Sequence, residues 1–94
     1  MKSTTLTFEY RFWLRVWPRG DCWEWRGSRD RFGYGMLRIS ANETGRAYRT
    51  AYELAKGTVP QHLEIDHLCR HHWCVKPSHL EAVAHKENWR RGNA

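Results

Sequence analysis

Cys69, Cys74 and His79 are separated by four residues each in the pattern C-x4-C-x4-H. Thiolate and imidazole are the donors that zinc takes in tetrahedral sets of four, so three of them in so short a run leave one ligand to find. Cys22 is the only other thiol in the chain, and His71, His72 and His85 are its rivals. Three buried, reduced cysteines would be the plain alternative, but Arg70, His71 and His72 make this a polar loop, a poor place to bury bare thiols. A second group follows a different logic. Asp66 and His67 are adjacent, and Glu87 and Asn88 lie about twenty residues further on. Hydrolysis of a phosphodiester needs a base to activate water and a cation to neutralise charge on the phosphate. An imidazole supplies the base near neutral pH, and oxygen donors such as Asp66 and Asn88 seat a hard cation such as Mg2+. Neighbours on a regular strand point to opposite faces, so Asp66 and His67 share a site only where the strand ends or bulges.

The elements that must position these groups read as an α+β arrangement. Phe8 with Phe12 and Trp13 with Trp17 have helical i,i+4 spacing, which predicts a helix over 7–17 stopped by Pro18. Residues 22–25 and 34–39 read as strands, with Gly33 and Gly35 at a turn and bulge around Tyr34, and 40–46 as a hairpin loop. Residues 48–56 predict a helix with Ala51, Leu54 and Ala55 on one face and Gly57 at its C-terminal stop. The last third reads strand (63–67), Cys/His-rich loop, strand (80–84) and helix (85–91). Trp13, Trp17, Trp23 and Trp25 are expected to fill the core, because a small domain needs bulky side chains.

Composition sets the class of partner. Ninety-four residues make one domain, 1–94, and 40% hydrophobic with 28% charged residues is a globular balance. No apolar run approaches the roughly 20 residues that span a bilayer. Glu9, Arg11 and Arg15 interrupt any secretory signal near the start. A cytoplasmic protein without a membrane partner is the expectation. Three cysteines cannot all pair internally, which again favours metal over disulfides. Sixteen Lys and Arg against ten Asp and Glu give +6. Twelve of the sixteen cations are Arg, whose planar fork suits phosphate. A basic domain of this size points to nucleic acid. Arg26, Arg29, Arg31 and Arg38 beside the hairpin, Lys86, Arg90 and Arg91 on the terminal helix, and Arg49 are the candidate DNA contacts.

The run IleAspHisLeuCysArgHisHisTrpCysValLysProSerHisLeuGlu (65–81), followed by GluAsn (87–88), resembles the HNH endonucleases of the phage and homing type, and also the His-Cys box enzymes. CysTrpGluTrp (22–25), TyrGly (34–35) and AlaTyrGlu (51–53) fit the upstream part of the phage-type proteins, so the likeness extends over about 8–92. The resemblance implies a ββα-metal motif over about 62–91, stapled by zinc. His67 matches the general base at the end of the first strand. Asn88 matches the helix residue that binds the catalytic divalent cation, Mg2+ or Mn2+. Asp66 matches the aspartate that joins it in the nicking branch. Cys69, Cys74 and His79 match the zinc ligands of the His-Cys box, which makes Cys22 the natural fourth. His79 stands where the middle Asn of an ordinary HNH motif stands, and Lys76 where the phage-type pattern has Asn.

The resemblance further implies a double-stranded DNA substrate, products with 5′-phosphate and 3′-hydroxyl ends, and a phage or mobile element in a bacterial host. Double-strand breaks by one such site would require a homodimer or sequential binding. A zinc module that binds DNA without cutting it is the competing expectation, separated from the enzyme only by Asp66, His67 and Asn88.

Overall fold

The Thr7 hydroxyl accepts a hydrogen bond from the Tyr10 amide at 3.0 Å, and this cap opens the first element, α1 (Phe8–Trp13). The chain is seen here in a computed structural model that describes residues 7–92. The helix expected over 7–17 ends at Trp13, and Val16–Arg19 forms a strand, β1. The cause lies just downstream. Gly20, at φ +58°, and Asp21 make a two-residue turn that folds β1 back onto β2 (Cys22–Trp25). Pro18 therefore does not stop a helix but sits inside β1 opposite Trp23. It is tolerated because β1 pairs only with β2 among the described residues, leaving an edge where a missing N–H costs little.

β3 (Met36–Ser40) and β4 (Glu43–Arg46) form a second antiparallel hairpin with a register shift between Arg38 and Ser40. Most of the expected 40–46 loop is thus strand, and only 41–42 make the turn. The helix α2 (Ala47–Lys56) ends where Gly57, at φ +92°, donates its amide to the Glu53 carbonyl at 3.0 Å. The final third has the expected order: β5 (Leu63–His67), a loop ending in a 3-10 turn (Pro77–His79), β6 (Leu80–Ala84) and α3 (His85–Arg90). β5 and β6 pair from Leu63↔Ala84 to His67↔Leu80. The protein is α+β, with three antiparallel strand pairs and the helices α1, α2 and α3 among the described residues.

Phe12, Trp25, Leu37, Ala47, Ala51, Val59, Ile65, Val75 and Leu80 form the core. Trp25 is its centre: it is fully buried, its ring stacks on Phe12 at 5.0 Å, and its Nε1–H donates to the Ser28 carbonyl at 3.0 Å. Of the four tryptophans expected inside, Trp13 is half-buried, while Trp17 and Trp23 are exposed. Trp17 rides on the exposed ribbon of β1 with the Arg26 guanidinium 5.4 Å from its ring, and Trp23 meets Trp13 edge-on at 5.8 Å. Ala55 on α2 is exposed as well, since α2 buries Ala47, Thr50 and Ala51 instead. No helix among the described residues is long and apolar enough to cross a membrane.

Candidate metal centre and candidate active site

Cys22 opens β2, Cys69 and Cys74 belong to the β5–β6 loop, and His79 closes the 3-10 turn. The ligand atoms of these four residues all lie within 4.8 Å of one another. Backbone pairing brings the distant Cys22 to the others. The loop runs beside β2, with the Trp25 amide donating to the Trp73 carbonyl at 3.0 Å and the Val75 amide to the Trp23 carbonyl at 2.8 Å. Lys76, in the position where the resembling family carries Asn, donates its ammonium to the Asp21 carbonyl at 3.0 Å and ties the loop to the β1–β2 turn.

His79 Nδ1 is 3.5 Å from the Cys74 sulfur and 3.6 Å from the Cys22 sulfur. These spacings fit donors converging on one tetrahedral ion, whose metal–sulfur bonds are near ~2.3 Å. Burial, then the neighbouring Cys74 and Cys69 thiols, push the Cys22 thiol up to about 12. Thiols crowded in this way ionise when a cation joins them, so the donor chemistry fits a metal. Of the expected rivals, His85 is remote from this cluster and pairs with Glu64, while His72 stacks on Tyr34 at 4.1 Å. His71 comes nearest, with Nδ1 3.4 Å from the Cys22 sulfur and its ring stacked on Trp73.

His67 ends β5 at 6% exposure, walled by Tyr48, with ring centroids 4.7 Å apart, and by Tyr34 and His72. Burial, then the adjacent His72, pull its pKa down to about 4, against the opposing effects of a hydrogen bond to the Cys74 backbone and of Asp66. The imidazole is therefore neutral at ordinary pH, the form that accepts a proton. Its Nε2 is buried and has no hydrogen-bond partner among the described residues. Asn88, on α3 and 5% exposed, has the same property at one atom. Its Nδ2 donates to Glu64 Oε1 at 2.6 Å, and its Oδ1 is buried without a partner. A buried polar atom left unpaired costs about 1–3 kcal/mol, so two of them on residues that line one pocket are candidates for completion by a ligand. His67 and Asn88 line one pocket together with Tyr34, Tyr48, Glu64, Ile65, His72, His85 and Trp89.

Glu64, Ile65 and His67, from both faces of β5, line this pocket, and among the described residues β5 pairs only with β6. Asp66 is placed differently. It shares the α3-facing side of β5 with Glu64, is 2% exposed, and accepts from Arg91 Nη1 at 2.9 Å. It does not line the pocket that holds His67. Glu64 was not singled out in the sequence, although its place two residues before Asp66 puts it on the same face of the strand. Its carboxyl is held below the ordinary range by hydrogen bonds from Asn88 and then His85. Tyr34 and Tyr48 were also missed as pocket walls, and only the tertiary fold brings them to His67.

The candidate DNA contacts are scattered in their commitments. Arg26 and Arg29, with Arg19, converge on Glu24. Arg31 lies over the Phe32 ring, Arg38 lines a groove with Arg11 and Arg15, and Arg49 pairs with Glu53 at 3.4 Å. Lys86 is exposed on α3, and Arg90 holds Glu87. Arg91 is bonded to Asp66, Glu81 and Glu87 at once, which makes it a brace between β5, β6 and α3.

The strand–loop–strand–helix unit places an imidazole at the end of β5 and an amide on α3. Residues 46–90 match a family model described as HNH endonuclease. The match speaks for a nuclease-type function of binding or cleaving DNA, with metal dependence. No curated protein and no solved structure matches the chain.

Proposed function

We propose that this protein is a metal-dependent DNA endonuclease of HNH type, working as one domain with a structural zinc. The observation that carries the reading is the pair of buried, unpartnered atoms, His67 Nε2 and Asn88 Oδ1, in one pocket. His67 Nε2 is the general base. It takes a proton from water as the water oxygen attacks phosphorus in line, the bond from phosphorus to the 3′ oxygen breaks, and that oxygen leaves with a proton from solvent. The products carry 5′-phosphate and 3′-hydroxyl ends.

A divalent cation, Mg2+ or Mn2+, would neutralise charge on the phosphate and the departing oxygen. Asn88 Oδ1 would hold it, and Asp66 would join by exchanging the Arg91 guanidinium for it. Tyr48 and Tyr34 exclude water from the inner side of His67 and keep its ring neutral. Cys22, Cys69, Cys74 and His79 would hold the zinc, which fastens β2 to the loop that follows His67. Binding of double-stranded DNA draws on Arg26, Arg29, Arg31, Arg38, Arg49, Lys86 and Arg90, with phosphate contacts setting position. The setting is the cytoplasm of a bacterial host that carries the phage or mobile element. One active site cuts one strand per event, so double-strand breaks call for two copies.

Relaxation of supercoiled plasmid tests the reading. Purified protein should convert it to nicked or linear forms with Mg2+ or Mn2+ and leave it untouched in EDTA. Tight DNA binding without relaxation in either metal would reduce the protein to a zinc module that only binds.

A further inference from the structure

The pocket holds a carboxylate that neither the motif nor the proposed mechanism uses. Glu64 lies two residues before Asp66, and both its oxygens are engaged by α3. Oε1 accepts from Asn88 Nδ2 at 2.6 Å, and Oε2 pairs with His85 Nδ1 at 2.8 Å. An asparagine amide can turn half a rotation and exchange its donor and acceptor ends at little cost unless a partner decides between them. An ionised carboxylate only accepts hydrogen bonds, so it can face only the NH2 end. With Nδ2 held by Glu64, Oδ1 must point the other way, where it is buried and unpaired. His85 grips the second carboxylate oxygen and keeps Glu64 in that pose.

We infer that Glu64 is the positioning residue that orients the Asn88 amide, its carboxylate fixing Oδ1 toward the pocket as a cation ligand. The inference rests on the proposed cation site at Asn88 and adds to it. Turned the other way, Asn88 would aim two N–H donors at the cation and repel it. Groups that orient a metal ligand in this manner typically affect metal affinity by about 10–100-fold.

The test measures Mn2+ binding to the zinc-loaded protein without DNA, by electron paramagnetic resonance or calorimetry, in two backgrounds. With Asn88 present, Glu64→Ala should weaken Mn2+ binding by about tenfold or more. With Asn88→Asp, whose two oxygens are equivalent and need no orienting, Glu64→Ala should cost nothing or strengthen binding. Thermal midpoint and zinc content report folding alone. If Glu64→Ala lowers them, Glu64→Met, which fills similar space without an oxygen acceptor for Asn88, is compared in the same two backgrounds. An equal loss in both backgrounds would make Glu64 a ligand in its own right and overturn the positioning role, and no loss beside Asn88 would overturn it too. The cation site itself fails separately, if Asn88→Ala leaves Mn2+ affinity unchanged.

Discussion

His79 and His71 compete for one place beside Cys22, and geometry favours His79. Its Nδ1 lies within 3.6 Å of both the Cys22 and the Cys74 sulfurs. His71 Nδ1 approaches the Cys22 sulfur alone, and its ring is committed to a stack on Trp73 at 4.7 Å. His71→Ala should therefore retain about one equivalent of zinc, whereas His79→Ala should lose it and unfold, as structural zinc energy is folding energy. Metal content by mass spectrometry checks this, and zinc loss on His71→Ala with retention on His79→Ala would exchange their roles. At this scale the sequence was readable where chemistry is local. Cys69, Cys74 and His79 announce themselves by spacing and do gather with Cys22, while His67 and Asn88, singled out by their place in the motif, line one pocket. Asp66 was less readable because its immediate partner, Arg91, comes from beyond the end of α3. Glu64 carried one usable signal, strand alternation with Asp66, and its bond to Asn88 is a tertiary fact.

Among the elements, the loop between β2 and β3 does two jobs that its composition only half declares. Gly35 passes against the face of Trp25, and a Cβ there would meet the Trp25 ring at 2.5 Å and Ala47 Cβ at 2.8 Å. Neither can retreat within the core, so Gly35→Ala should destabilise the fold by about 1–3 kcal/mol, the usual cost of overpacking. Chemical denaturation measures it, and an unchanged midpoint would show that the core yields there. Asp30 organises the same loop. Its Oδ1 accepts from the Phe32 and Tyr34 amides, and its Oδ2 is paired with Arg46. Burial works to raise the Asp30 pKa, but the hydrogen bonds from Arg46, Phe32 and Tyr34 prevail and hold it below 3.8. A depressed folded pKa means stability present above the unfolded value and lost as pH falls through the folded one. Asp30→Asn should thus lower the thermal midpoint at neutral pH and bring variant and parent together as pH falls below about 3.8. A midpoint difference that persists unchanged in acid would refute it. The sequence announced a turn here through Gly33 and Gly35, yet not the seat it makes for Tyr34. β1 was hidden for a related reason: the apolar spacing from Phe8 to Trp17 satisfies a helix, and only the Gly20-Asp21 turn, which pairs 16–19 with β2, decides otherwise.

As a whole molecule, the chain depends on both of its halves. The family match begins at residue 46, yet Cys22 of the metal cluster and Tyr34 of the pocket lie before it. A small domain has about 5–15 kcal/mol of stability, and a structural zinc site contributes an apparent ~10–16 kcal/mol of binding energy. The zinc would therefore decide whether the pocket exists, while in the proposed function the pocket would decide whether DNA is cut. Charge takes a third share, since +6 spread over many Arg and Lys supplies affinity that no single substitution removes. The proposed division of labour follows from composition and motif, whereas the pocket's walls, Tyr34 and Tyr48, come only from the tertiary fold. It also isolates the central claim in one residue. The direct measurement is the plasmid cleavage rate of His67→Ala beside the parent protein, both loaded with zinc and matched for DNA affinity. The account predicts a loss of about 10²–10⁴-fold that excess Mg2+ does not restore, because the proton acceptor itself is gone. A His67→Ala protein that cuts within a few-fold of the parent rate would contradict it.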